Sequence, residues 1–170
     1  MRWLVLSCLL WGCTGEGPST PVDSGPPCSL QLEWGRMQSG TFVAFKDGDT
    51  AEITLGFQGF RFIDSVARIR SGRGSSATFK LQSTVEGGSP RSQDAGPFDG
   101  TIGADGALYV SNVQLFFNDL PLPDLLGKKV AVIVVANAGG CTGRANAQVA
   151  LVRGGCMDAD GGIASCDAGS

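Results

Sequence analysis

Residues Lys128 to Val152 hold two runs of β-type patterning joined at Gly139-Gly140-Cys141-Thr142-Gly143, and no stretch of the domain shows a capped helical period of 3.6 over ten or more residues. In Lys128 to Asn137, Val130, Val132 and Val134 alternate with Ala131, Ile133 and Val135. Both faces are apolar, so the run is expected inside a stack of sheets. Ala145 to Val152 sets Ala147, Val149 and Leu151 against Asn146 and Gln148, the pattern of a half-exposed strand. With no helix to cover such strands, sheet must pack on sheet, and the expected class is all-β.

Shorter strands are predicted on either side. Ser29 to Trp34 places Leu30, Leu32 and Trp34 on one face, and Thr41 to Lys46 follows a Gln38-Ser39-Gly40 turn or kink. Asp47-Gly48-Asp49 turns the chain into Ala51 to Phe57. Arg61 to Arg70 (Ile63, Ala67 and Ile69 together) and Ala77 to Val85 follow. Ala107 to Phe117 changes parity near Asn112, which predicts a bulge. The 26 glycines, well above a usual share of about 7%, suit many turns between short strands. Glu86 to Gly106 is irregular, with an edge strand predicted around Phe98 to Ile102. In Asn118 to Gly127, Pro121 and Pro123 exclude a central strand. Leu120, Leu122, Leu125 and Leu126 make this segment either a lid over one end of the core or an exposed binding loop. The loop reading names Phe116, Phe117 and Leu122 as candidate partner contacts.

Seven or eight strands at this spacing predict an antiparallel β-sandwich over residues 28–156. Their number and rhythm resemble an immunoglobulin-like or fibronectin-type domain. The disulfide that such domains carry between their second and sixth strands is absent, because no cysteine lies between Cys28 and Cys141.

Met1 and Arg2 precede an apolar run of about ten residues from Trp3 to Trp11, far short of the roughly 20 that span a bilayer and of signal-peptide length. Leu10-Trp11-Gly12-Cys13 resembles the lipobox of bacterial lipoproteins. The resemblance implies that residues 1–12 are removed and that Cys13 carries the lipid, palmitate-type chains included. Without an aspartate after Cys13, it implies outer-membrane anchoring at the bacterial cell surface or facing the periplasm. Residues 13–27, rich in Gly, Pro, Ser and Thr, read as a tether.

An exported domain would retain Cys28, Cys141, Cys156 and Cys166, enough for two disulfides and three pairings. If Ser29 to Lys46 is one kinked strand, strand alternation brings Cys28 to Cys141 and leaves Cys156 for Cys166. If that segment is two paired strands, Cys28 approaches Cys156 instead. The first arrangement is expected here. A zinc site is disfavoured, since no close C-x-x-C pair occurs. Residues 157–170 form a Gly/Asp-rich tail, in which Asp158 and Asp160 resemble the start of a calcium loop. The loop lacks a third alternate aspartate and a closing glutamate, so no metal is expected.

The chain has no histidine, which removes the commonest general base and the usual nucleophile partner. No nucleophile or phosphate-binding motif occurs, so no enzyme and no cofactor are expected. Thirteen basic against 16 acidic residues give a net charge of -3 without a basic run, which argues against nucleic acid. Arg61, Arg68, Arg70, Arg73 and Arg91 make a modest basic zone, with Arg68 and Arg70 on one strand face. Two readings follow. One is a surface module binding a protein or glycan through its end loops, and the other an accessory subunit for envelope assembly without a ligand of its own.

Overall fold

The computed structural model describes residues 28–157 and 163–164. The expected lipid position Cys13, the expected tether, the candidate calcium ligands Asp158 and Asp160, and Cys166 lie outside the described residues.

The fold is all-β, two sheets packed face to face. The smaller sheet has the order β2 (Thr41–Ala44), β1 (Gln31–Gln38), β5 (Val66–Arg70), β9 (Leu108–Val110), β8 (Thr101–Ile102). The larger runs β10 (Leu115–Phe116), β4 (Arg61–Ile63), β3 (Thr50–Leu55), β12 (Cys141–Met157), β11 (Lys129–Ala138), β6 (Ser76–Val85), β7 (Arg91–Asp99). β13 (Ile163–Ala164) turns back onto the end of β12, pairing Ala164 with Cys156. The strands outnumber the expected seven or eight because several are fragments of two to four residues. Nor is every pair antiparallel, since β3 and β12 run parallel.

Three of the extra strands arise because a single run crosses from one sheet to the other without reversing. β4 belongs to the larger sheet and β5 to the smaller, with Asp64 and Ser65 between them. β7 passes into β8 through Gly100, where a Cβ would come within 2.7 Å of both the Tyr109 carbonyl oxygen and Leu108 Cδ1. β9 passes into β10 through residues 111–114. The expected bulge near Asn112 is therefore a change of sheet, with Asn112 in the left-handed region at φ 59°.

Alternation sets the core. Val130, Val132, Val134 and Ala136 of β11 face inward with Ala147, Val149 and Leu151 of β12. The smaller sheet supplies Leu32, Trp34, Ala67, Ile69 and Val110. β11 is not buried on both faces as its composition implied: Ala131 is exposed, and Ile133 and Val135 are half-buried on the outer face.

Asn118 to Gly127 closes one end of the core. It holds a short helix, α1 (Leu122–Leu125), whose Leu125 is buried, while Leu120, Leu122 and Leu126 pack on the core. It is a lid rather than a binding loop.

A disulfide joins Cys28 to Cys141, across 113 residues. The pairing is the expected one, but its premise fails. Ser29 to Lys46 is a hairpin, β1 pairing antiparallel with β2. Taken alone, that doubling would have sent Cys28 toward Cys156. The region 86–106 adds a second reversal, because β7 is a nine-residue strand on β6, far longer than the edge strand expected there. The two additions cancel, and the turn between β11 and β12 returns to the end where β1 begins. Ser29 bridges Thr142 beside the disulfide. Cys156 is also disulfide-bonded.

Candidate functional site

Of the three apolar contacts named from the lid region, only Phe116 offers an open surface. Phe117 is 0% exposed and lies in the core, with its amide donating to the Arg61 carbonyl at 2.7 Å. Leu122 is half-buried against the core. Phe116, at 37% exposed, packs with Phe60 and Phe62 at centroid distances of 6.2 and 5.6 Å.

The arginines do not gather into a basic zone. Arg61 donates from Nε to the Leu120 carbonyl and helps hold the lid, and Arg91 pairs with Asp119 at 2.8 Å. Arg68 and Arg70 share the outer face of the smaller sheet, where both pair with acids while Arg70 stays exposed.

That outer face is the most elaborated surface among the described residues. Register builds it. Arg68 stands between Glu33 on β1 and Tyr109 on β9, and Met37 stands opposite Phe42. The Arg68 guanidinium lies 5.7 Å from the Phe42 ring centroid and 5.8 Å from that of Tyr109. The two rings meet edge to face at 5.9 Å. Arg68 Nη1 donates to Glu33 at 2.9 Å, and its Nε and Nη2 donate to Asp105. Arg70 and the Tyr109 hydroxyl donate to the same carboxylate at 3.2 and 3.1 Å. These donors, Arg68 first, hold the Asp105 carboxyl well below the usual carboxylate range. Asp105 in return raises Arg68.

Gly103, in the turn that carries Asp105, leaves room for the Tyr109 ring, which a Cβ there would overlap. The result is an open concavity of about 550 Å³, walled by Phe42, Tyr109 and Met37 and edged by Thr41 and Thr101. Two cations and two acids cancel in charge, so the face is polar without being basic.

A second cavity of about 420 Å³ opens where the sheets part, in the half of the sandwich away from the Cys28–Cys141 bond. β3 pairs with β4 only at Thr54 and Leu55, which leaves its first residues as an edge on that side. Arg36 covers this edge. Its Nη1 donates to the Thr50 carbonyl at 2.7 Å, and its guanidinium lies 5.6 Å from the Phe45 ring centroid. Behind it, Trp34 Nε1 donates to Ser65 Oγ at 2.7 Å, and that hydroxyl donates to the Val113 carbonyl. Asp64 and Glu52 line the same cavity.

Asp64 reaches solvent, yet partial desolvation by the cavity wall raises its carboxyl above its ordinary value, against a smaller lowering by the Ser65 amide. A carboxyl raised on folding stabilises the folded state most at pH values below its unfolded value, and that stability is lost as pH climbs through the folded value. Asp64→Asn is therefore expected to raise the melting temperature at pH 7, with the gain shrinking to nothing as the pH falls below the carboxylate range. Thermal melts of both forms across that range provide the check, and equal melting at pH 7 would contradict the assignment.

The remaining acidic turn is structural. Asp49 accepts from the Lys46 amide at 2.9 Å and Asp47 from the Gln148 amide at 2.7 Å, tying the turn to β12. Among the described residues no group of three or more Cys, Asp or Glu is arranged to hold a metal. No protein family matches the chain, and no curated protein or solved structure shows significant similarity to it.

Proposed function

We propose that this chain is an exported, non-enzymatic interaction module of the bacterial envelope, held at the outer membrane through Cys13, that binds a glycan on the outer face of its smaller sheet. The observation that carries this reading is the Phe42–Arg68–Tyr109 concavity with its saturated polar rim. Aromatic walls accept the apolar face of a sugar ring, while fixed charged and hydroxyl groups orient its polar edge. Because Arg68 and Asp105 already hold one another, little side-chain freedom is lost on binding. Placement on the sheet face, rather than on the end loops, follows from where the aromatic and polar groups converge. The Cys28–Cys141 bond supports an oxidising, exported setting.

The finer fold assignment is an immunoglobulin-like sandwich. Strand order supports it: β1-β5-β9-β8 opposite β12-β11-β6-β7 has the sequence of A-B-E-D opposite G-F-C with a C′ extension. The parallel β3–β12 pair fits a first strand shared between both sheets. By the same reading Cys156 pairs with Cys166.

A glycan array probed with the folded domain should reveal ligands whose affinity falls about tenfold in Phe42→Ala or Tyr109→Ala, the usual scale for an aromatic anchor. An array without ligands, or ligands indifferent to both substitutions, would overturn the glycan reading. Envelope location has its own test. Mass spectrometry of the mature amino terminus is expected to find a lipid-modified Cys13, and an unmodified Cys13 or a different cleavage point would remove the anchor.

A further inference from the structure

The cavity between the sheets has a chemistry different from that of the sheet face. Its charged lining consists of Arg36 from β1, Glu52 from β3 and Asp64 from the crossing between β4 and β5. Two solvent-reaching carboxylates thus share the lining with one guanidinium, which is committed to the Thr50 carbonyl and the Phe45 ring. Among the described residues neither Glu52 nor Asp64 makes an ion pair. Apolar side chains, Phe45, Ile63, Val66 and Met37, complete the wall.

We propose that this cavity binds a primary alkylammonium group, the chemistry shared by a lysine side chain and the end of a polyamine. Three N–H donors on a compact cation suit two carboxylates and the oxygen-rich rim of Ser111 and Asn112. The methylene stem lies along the apolar wall, as the stems of charged side chains do elsewhere. A divalent metal ion is the poorer occupant, because it needs six or more oxygens and the cavity gathers two carboxylates. Partial desolvation by the cavity wall leaves the carboxyl of Asp64 raised although the residue reaches solvent. An incoming ammonium pairs with the ionised carboxylate and draws its titration back down.

Binding therefore depends on pH. As pH falls through the raised value of Asp64, a proton competes with the ligand.

The test is a titration of the folded protein followed by amide chemical shifts, with cadaverine as the free polyamine and N-acetyl-lysine methylamide as the peptide-borne lysine. Shifts are expected at Asp64, Ser65 and Asn112, with dissociation constants on the order of 1 mM. Asp64→Asn, which keeps the shape of the side chain, is expected to weaken binding about tenfold or more, the scale for one lost charge-assisted contact. Its fold is verified by the melts described above. Tyr109→Ala should leave ammonium binding unchanged, so this site and the glycan face stand or fall separately. If both probes bind, the ammonium alone suffices. If only the lysine amide binds, the ligand also uses its backbone, and the natural source is a protein; either result supports the proposal. Absence of shifts at these amides, or equal affinity in Asp64→Asn, would overturn it.

Discussion

Replacing Cys28 and Cys141 together by serine is expected to lower the unfolding free energy by about 4–5 kcal/mol, the chain-entropy value for closing a loop of this size. The bond spans 113 residues and encloses nearly every strand. Its loss acts mainly on the unfolded chain, which regains the freedom that the cross-link removes. Cys141 is also buried, so part of the cost falls on the folded state, where a hydroxyl replaces sulfur. For a domain of this length the melting temperature should fall by roughly 10–20 °C. Denaturant titration of the double variant measures the effect without disturbing the second bond at Cys156. A loss below about 1 kcal/mol would mean that the unfolded chain is already constrained elsewhere, contrary to the entropic account.

Phe117→Ala is expected to cost about 3–5 kcal/mol, because a large ring with no exposed surface leaves a cavity that the surrounding strands fill only in part. Its neighbour Phe116→Ala is expected to cost about 1 kcal/mol or less, since that ring is already partly in solvent. The pair contrasts a fully buried ring with a partly exposed one at two adjacent positions. If Phe117→Ala melted like the wild type, the lid would not be the closed structure described above. Circular dichroism melts of the two variants decide this directly.

Face alternation was legible wherever one side of a strand is buried. Ala147, Val149 and Leu151 face the core as their spacing predicts, whereas the proline-bearing segment read as either a lid or a binding loop until the burial of Leu125 decided it. β7 was not legible. As an edge strand it touches the core through Ala95 and Phe98 alone, so its residues lack an apolar period. Changes of sheet at Asp64, Gly100 and Asn112 were hidden for another reason. A run that keeps its direction leaves no turn signal, and only a shift in parity betrays it. On the sheet face, the shared side of Arg68 and Arg70 could be read from spacing within one strand. Phe42, Tyr109 and Asp105 come to them by pairings between distant segments, which no local pattern encodes. Asp64 carries no local signal at all, since its character comes from the wall around it.

The Cys28–Cys141 bond has a mechanical consequence. Tension applied at the amino-terminal end of the domain enters at Cys28 and passes through sulfur into the turn between β11 and β12. That turn joins the longest ladder of the larger sheet, ten residue pairs in register. β1, which carries Glu33, Trp34 and Arg36, lies beyond the junction and is not peeled from β5 one pair at a time. A pull from the amino-terminal side would be met by covalent bonds and by that ladder, while the strand that serves both cavities stays slack.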